Sequence, residues 1–419
     1  MPIPSPAEAR IRVVGLGYVG LPLALALARH FPVVGFDTNP ARVAELKAGR
    51  DSTGAVDETA LRAGAPSLTD DEGGLGGGNV FIIAVPTPVD AANKPDLSAV
   101  TSACRAVGVH LRPGAVVVLE STVSPGVTEG VCGPALESAS GLVRGKDFFL
   151  GYSPERINPG DDEHAVDRIT KVVAAETAEA SALLAEIYGA MTAGGVFVAR
   201  DIMTAEAAKV IENAQRDINI AFVNEVAMIL AKLNLSTRDV LAAAATKWNF
   251  LDFRPGLVGG HCIGVDPYYL AAAAESAGHE PEIVLAGRRI NDRMGAFVAE
   301  SVDRALTGLF PGRGGCDVLV LGLTFKENVR DLRNTGVADV VQGLGARGHR
   351  VAVHDPLADP DQAQALYGIK LLGDLDSASA FDGVVGAVAH DAYRDLSAAD
   401  FARLVRPGGL IADVKGMWL

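Results

Sequence analysis

In the run Gly259-Gly260-His261-Cys262-Ile263-Gly264-Val265-Asp266 a cysteine stands among glycines, four residues before a carboxylate. Glycines strip the flanks of side chains and leave the sulfur open to contact, while His261 and Asp266 supply polar neighbours for which a packed core strand has little use. Such surroundings suit a nucleophile. Most free cysteines are instead buried small hydrophobes, and that reading stands beside the first. A second run, Val13-Val14-Gly15-Leu16-Gly17-Tyr18-Val19-Gly20, is followed by Val33-Val34-Gly35-Phe36-Asp37. In such a run the first glycine permits a tight turn, the second lets backbone approach a pyrophosphate, and the third lets helix and strand pack closely. Tyr18 and Val19 lie within the turn. Asp37 falls where a carboxylate accepts from the adenosine ribose hydroxyls and repels a 2′-phosphate, which favours NAD over NADP. A glycine turn alone carries little, but the strand before it and the acid after it point to a dinucleotide site. Arg42 either stacks on the adenine or is a solvated helix residue. Together the two runs suggest redox chemistry through a covalent intermediate.

Composition narrows the class. A chain of 419 residues, 49% hydrophobic and 21% charged, has an ordinary soluble globular balance and length for two or three domains. Its formal net charge of −14 argues against a nucleic-acid partner, which would call for a basic domain or stripe. Cys104, Cys132, Cys262 and Cys316 stand far apart without metal-ligand spacing. No metal site, no disulfide framework and a reducing cytoplasm are therefore expected, with Cys104, Cys132 and Cys316 structural. Arg10-Ile11-Arg12 before an uncharged stretch superficially resembles a signal peptide, but Gly15, Gly17 and Gly20 interrupt that stretch at fingerprint positions. No apolar run reaches the length of a membrane span, so no membrane partner is expected.

The elements that must position these residues follow from the alternation of short apolar runs with Ala- and Leu-rich stretches, the pattern of an α/β fold with doubly wound parallel sheets. Strands are expected at 11–14, 32–36, 80–85, 116–120, 147–151 and 171–174, and near-continuous apolar runs fit strands covered on both faces. Gly73 to Gly78 reads as a flexible surface loop, since no helix opens after it. From Thr204 to Leu233 the chain reads as one helix, with Val210, Ile211, Ala214, Ile218, Phe222, Val226, Ile229 and Leu233 at helical spacing. About 30 residues at roughly 1.5 Å each exceed a small domain, so this helix is expected to bridge domains and to offer its apolar face to a second subunit. A second βα pattern runs through 317–322, 348–355, 383–388 and 409–413. The result is an amino-terminal nucleotide domain (1–200), a central helical region (201–309) and a carboxy-terminal α/β domain (310–419): two Rossmann-like doubly wound domains joined by a long central helix.

That helix also carries Glu206, Lys209, Asn213, Asp217 and Asn224 at three- and four-residue spacing, hence roughly on one face. Lys209 and Asn213, one turn apart, offer an ammonium and an amide to an oxyanion. A solvated helix face looks the same, and from the residues alone it is the preferred reading.

Taken in order, the motifs resemble those of the UDP-glucose/GDP-mannose dehydrogenase family. They are Gly-Leu-Gly-Tyr-Val-Gly (15–20), Val-Pro-Thr-Pro (85–88), Glu-Ser-Thr-Val (120–123), Ser-Pro-Glu-Arg (153–156), Glu-Ala-Ala-Lys-Val-Ile-Glu-Asn (206–213), Gly-Gly-His-Cys-Ile-Gly-Val-Asp-Pro (259–267) and Gly-Leu-Thr-Phe-Lys-Glu-Asn (322–328). The resemblance covers nearly the whole chain, and it implies a four-electron oxidation in which the C6 alcohol of a nucleotide sugar becomes an aldehyde and then a carboxylate while two NAD are reduced. By that likeness Cys262 captures the aldehyde, Lys209 and Asn213 stabilise oxyanion charge, and Asp266 assists proton transfer through an ordered water. Thr122 sits at the boundary of cofactor and substrate, and Glu155 helps deliver hydrolytic water. Pro86, Thr87 and Ser121 line the nicotinamide side, Lys326 and Arg333 face substrate and cofactor, Gly259 lies against substrate, and Arg254 reaches a neighbouring subunit's substrate. A homodimer or higher homo-oligomer is implied, with the carboxy-terminal domain holding the uridine diphosphate.

One departure is informative. Members acting on UDP-glucose or GDP-mannose follow the Pro-Glu pair with a second glutamate, where this chain has Pro159. The run Ser153 to Asp161 instead resembles the branch oxidising UDP-N-acetylhexosamines, with UDP-N-acetylglucosamine the leading substrate and Arg156 and Asn158 contacts to the acetamido group or diphosphate. UDP-glucose, UDP-N-acetylgalactosamine and UDP-N-acetylmannosamine remain alternative substrates. A regulator that binds nucleotide sugar or NAD without chemistry is a further alternative, which retention of Cys262, Lys209, Asn213 and Asp266 disfavours.

Overall fold

The structure, a computed structural model, describes residues 2–64, 66–90, 92–156, 166–260, 262–378 and 380–418. The chain divides into two compact units, Met1–Glu212 with Tyr268–Glu280, and Asn213–Pro267 with Pro281–Leu419. The first is built on strands β1 (Ile11–Val14), β2 (Val33–Phe36), β3 (Ser67–Thr69), β4 (Val80–Ile83), β5 (Ala115–Leu119), β6 (Phe148–Tyr152), β7 (Lys171–Ala175) and β8 (Val196–Val198). They form one sheet in the order β3-β2-β1-β4-β5-β6-β7-β8. The chain leaves β1 towards one edge and returns to β4 on its other side. That reversal opens a crevice at the carboxyl ends of the strands, where α/β sheets bind ligands.

Both faces of this sheet are covered, and for that reason its strands read as unbroken apolar runs. Val80, Ile82, Val116 and Val118 point into one core with Leu21, Leu25, Leu184 and Ile187. Their alternates Phe81, Ile83, Val117 and Leu119 point into a second core with Val107, Leu136 and Phe148. One strand departs from the expected parallel sheet: β7 runs antiparallel to β6, with Tyr152 opposite Ala174 and Gly151 opposite Ala175. Gly73 to Gly78 is also more ordered than expected. Glu72–Leu75 forms a 3-10 turn capped by Asp71, Leu75 is fully buried, and Arg12 donates to the carbonyl of Gly76 at 2.8 Å.

The second unit holds β9 (Asp317–Leu321), β10 (Arg350–His354), β11 (Phe381–Gly386) and β12 (Val405–Asp413), all parallel, in the order β10-β9-β11-β12. Val318, Val320 and Val385 face one core, Leu319, Leu321 and Val384 the other. The division between units falls inside one helix, Ile202–Lys232. Its expected orientation is reversed in part. Glu206, Lys209, Asn213, Asp217 and Asn224 are all buried, beside small residues such as Ala205, Ala214, Ala221 and Ala227. Ile211, Phe222 and Ile229, from the apolar stripe that is also expected to meet a second subunit, are exposed in the single chain. The polar stripe is thus not a solvated face.

Candidate functional site

In the first unit β1 ends in a turn whose geometry assigns a task to each glycine. Gly15 has φ +93 and donates to the carbonyl of Phe36 at 2.8 Å. A Cβ there would stand 2.6 Å from the carbonyl oxygen of Ala84, and a Cβ on Gly20 would stand 1.8 Å from that of Gly15. At Gly17 a Cβ would meet nothing within 4 Å, so this stretch of backbone faces open space. Tyr18 and Val19 complete the turn, and no side chain caps the helix Gly20–Ala28 that follows. Its first-turn N–H groups are those that bind phosphate in such turns. Asp37 is fixed by two backbone donors, Leu16 N–H at 2.8 Å and Asn39 N–H at 2.9 Å, yet stays partly exposed. A dinucleotide fits this cradle. Arg42 corrects one of the readings offered for it. It is buried, donates through Nε to the carbonyl of Leu16 at 3.0 Å, and pairs with Asp51 at 2.7 Å. It therefore braces the turn and is not a solvated residue.

The next two strands contribute loops that are tied together. Ser121 Oγ donates to the carbonyl of Val85 at 2.7 Å, and Thr87 Oγ1 donates to that of Thr122 at 2.8 Å. Pro86 is exposed between these ties. Tyr269, fully buried, donates its hydroxyl to the carbonyl of Thr87 and fixes the same loop. Replacing Asp37 with alanine removes the acceptor held beside the turn together with its negative charge. The expected result is about a tenfold or greater loss of preference for NAD over NADP, measured as the ratio of the two dissociation constants.

In the second unit the loop carrying Cys262 is held from three sides. Asn224 grips Gly256 twice, accepting its N–H at 2.8 Å and donating to its carbonyl at 3.0 Å. Asn224 is in turn bonded to Asn291, which with Arg288 engages Asp217. Gly259 and Gly260 lie against Phe325. A Cβ on Gly259 would be 2.7 Å from the Asn334 carbonyl oxygen, and one on Gly260, which has φ +82, would be 2.7 Å from the Phe325 ring. Gly260 N–H also donates to the carbonyl of Arg333 at 3.0 Å. The expectation that Gly259 lies against substrate thus has a packing reason beside it.

Cys262 is exposed, whereas Cys104, Cys132 and Cys316 are buried. The carbonyl of Cys262 accepts from Val265 N–H at 3.0 Å and Asp266 N–H at 2.8 Å, which turns the chain into the helix Asp266–Ser276. Asp266 is 2% exposed, and Asn213 Nδ2 donates to its Oδ2 at 2.5 Å. Three of the expected catalytic residues thus fall on one tight turn and the helix it meets.

The other expected residues are placed as follows. Lys209 is buried, with no hydrogen bond or ion pair at its ammonium among the described residues. Arg156 pairs with Glu212 at 2.7 Å and donates to the carbonyl of Thr170 at 3.2 Å, so its guanidinium is already engaged. Arg333 is paired with Asp331 at 2.7 Å and Arg254 with Asp252 at 2.8 Å. Lys326 accepts Thr324 Oγ1 at its backbone carbonyl, at 3.1 Å. Asn158 and His261 lie outside the described residues. Glu206, read with the polar stripe, fastens the 126–128 turn by accepting from Gly126 N–H at 2.5 Å and Thr128 N–H at 2.9 Å. Two charged residues that the sequence reading passed over as strand residues, Glu120 and Lys171, are buried beside Glu155.

The turn after β1 has a counterpart after β9. Gly322, with φ +96, donates to the carbonyl of His354 at 2.8 Å, and Asp355 accepts from Leu323 and Thr324 N–H at 2.6 and 2.9 Å. Here, however, the carboxylate is buried, and His390 Nε2 stands 3.1 Å from it. A Cβ on Gly322 would be 2.4 Å from the Val388 side chain.

Comparison with known proteins extends along nearly the whole chain. The NAD binding domain of the UDP-glucose/GDP-mannose dehydrogenase family matches residues 9–192, its central domain residues 203–293 and its UDP binding domain residues 319–418. The chain is 49% identical to Protein CapL of Staphylococcus aureus, over 97% of this chain and 96% of that protein. It is 48% identical to the UDP-N-acetyl-D-glucosamine 6-dehydrogenase of Pseudomonas aeruginosa, over 97% of each. Among solved structures, UDP-D-ManNAc dehydrogenase from Pyrococcus horikoshii superposes with a TM-score of 0.87 at 30% identity, covering 97% of this chain and 96% of that one. With its cofactor cradle, its cysteine turn and all three domains matched in order, the chain belongs to the UDP-glucose/GDP-mannose dehydrogenase family and is an NAD-dependent nucleotide-sugar dehydrogenase.

Proposed function

We propose that the chain oxidises C6 of UDP-N-acetylglucosamine to the uronic acid, for a surface polysaccharide, through a covalent adduct on Cys262. The observation that carries this reading is the exposed thiol four residues before Asp266, a carboxylate buried and held by Asn213. NAD would be held at the first-unit cradle by the turn Gly15–Gly20 and Asp37, and would supply the hydride acceptor for each of the two oxidations at C6. After the first, Cys262 Sγ bonds to the aldehyde carbon. The resulting thiohemiacetal has a tetrahedral C6–H from which a second hydride can leave, and the thioester so formed is opened by water, which returns the thiol. Asp266 assists proton transfer, and the N–H of Asn213 not given to Asp266, with the ammonium of Lys209, steadies the oxyanion. Thr122 stands where cofactor meets substrate, and Glu155 orients the hydrolytic water. UDP-N-acetylglucosamine is preferred because 48% identity over 97% of each chain links this sequence to a dehydrogenase named for that sugar. The test is NADH formed per sugar consumed, with UDP-N-acetylglucosamine, UDP-N-acetylgalactosamine, UDP-N-acetylmannosamine and UDP-glucose offered separately. Two NADH per UDP-N-acetylglucosamine is the expected yield. No turnover of that sugar beside turnover of another would overturn the substrate assignment.

We infer further that the protein acts in the cytoplasm as a homodimer; no helix among the described residues is long and apolar enough to cross a membrane. In the second unit Phe222, Ile229 and Leu233 are 59%, 51% and 60% exposed, and Trp248 is 91% exposed. Large apolar side chains exposed on one helix and just past its end, as Phe222, Ile229 and Leu233 are, favour an association surface. Arg254, in the segment after Trp248, is the residue assigned to the neighbouring subunit's substrate. Phe222→Glu combined with Ile229→Glu is expected to halve the mass measured by light scattering; an unchanged mass would exclude this face.

A further inference from the structure

A fully buried lysine between two carboxylates stands at the carboxyl edge of the first-unit sheet. Glu120 follows the last residue of β5, Glu155 lies three residues past β6, and Lys171 opens β7. Lys171 reaches this edge only because β7 is antiparallel: continuing the β6–β7 register beyond Tyr152 opposite Ala174 sets Glu155 opposite Lys171. Lys171 Nζ stands 3.3 Å from Glu120 Oε2 and 3.5 Å from Glu155 Oε2, and it donates to the carbonyl of Pro154 at 3.3 Å. From the helix Ala178–Met191, Tyr188 sets its ring centroid 5.3 Å from the ammonium and its hydroxyl towards Glu120 and Ser153. Arg156, the neighbouring cation, is taken by Glu212.

Burying charged groups is costly unless they are compensated. Two carboxylates and one ammonium leave one negative charge in excess, so such a cluster tends to take up one proton. Glu120 is pushed up to about 7, first by burial and then by repulsion from Glu155, against the pull of Lys171. Burial would depress Lys171, but the two carboxylates outweigh it and hold the ammonium above its usual range. Tyr188 is pushed well above the usual phenol range, by burial first, and stays neutral.

We propose that Glu120 and Lys171 are positioning residues for Glu155. Lys171 holds its carboxylate in place, and Glu120, on the other side of the same ammonium, fixes where that ammonium stands, so that Glu155 is set to orient the hydrolytic water. The role rests on the reading of Glu155 given above.

The two residues act on Glu155 with opposite sign, and the test uses that. In Glu120→Gln, Glu155 faces the ammonium without a competing carboxyl. The acid limb of the kcat profile for NADH formation is expected to move down by about one pH unit. In Lys171→Met, Glu155 loses its cation, and the limb is expected to move up by about one unit or more. NAD affinity should hold in both variants, since neither residue belongs to the cofactor turn. The profiles are taken on whichever nucleotide sugar the wild type oxidises. Because Lys171→Met may fail to fold, the wild type and Glu120→Gln are also followed by carbon-13 NMR of glutamate carboxyls. One carboxyl titrating near pH 7 in the wild type and absent from Glu120→Gln supports the proposal. Coincident profiles, shifts of the same sign, or no such carboxyl overturn it, while a wild type yielding two NADH per sugar leaves the proposed function standing. A wild type that oxidises no nucleotide sugar overturns both.

Discussion

Replacement of Cys262 with alanine is expected to lower uronic acid formation by about 10³-fold or more, because the second oxidation then has no tetrahedral carbon from which a hydride can leave. The first oxidation needs no thiol, so the variant should release at most one NADH per sugar where the wild type releases two. NAD affinity should stay within about twofold, since the turn after β1 is built from Gly15, Gly20 and Ala84 and owes nothing to the cysteine. Serine at this position keeps size and polarity but makes a much weaker nucleophile at neutral pH, and it should behave like alanine. Acid formation at the wild-type rate in either variant would exclude the covalent route. A loss of NAD affinity parallel to the loss of turnover would indicate a folding defect instead.

Asp266→Asn is expected to cost about 10²- to 10⁴-fold in kcat, the range for loss of a positioned acid or base. The substitution hardly changes shape. Asn213 donates to Asp266 Oδ2, and the introduced amide can turn its oxygen to keep that bond. What disappears is the charge and the ability to take up a proton. Melting temperature should therefore change little, in contrast to Asp266→Ala, which would strand the buried amide of Asn213 and cost about 1–3 kcal/mol of stability. Near-normal turnover in Asp266→Asn would leave the carboxylate a purely structural role.

The turn that joins Cys262 to Asp266 was legible in the sequence because glycines and a nearby acid around a cysteine are unusual, and the glycine turn after β1 was legible for the same reason. The long helix was placed to within two residues at its start and one at its end. The orientation of that helix was not legible. Its inward face is made of alanines and of polar side chains that bond one another, as Asn224 does with Asn291, so a rule that puts large apolar residues inward selects the wrong side. Phe222 and Ile229 obey the period but not the rule. Strands β3 and β8 have three residues each, too few to show an alternation. The antiparallel direction of β7 is absent from its own residues, Lys-Val-Val-Ala-Ala, since a strand covered on both faces reads alike in either direction. The pairing of Lys171 with Glu120 and Glu155 depends on that direction and was hidden with it. Arg42 was misjudged because its partner Asp51 follows the end of its helix, beyond the reach of helical spacing.

The sealed turn after β9 bears on how the proposed reaction would be paced. With His390 against Asp355 and Val388 filling the space beside Gly322, the second sheet offers no counterpart to the open carboxylate and bare backbone of the first. Among the described residues there is then one open turn of this kind, and under the proposed double oxidation the carrier it holds is used twice. Between the two oxidations the spent carrier has to depart and a fresh one arrive, and throughout that interval the half-oxidised sugar must neither escape nor react with water. A covalent tether to Cys262 meets this need. On the proposed mechanism the cysteine is a mooring during an exchange of carriers as much as a participant in the chemistry.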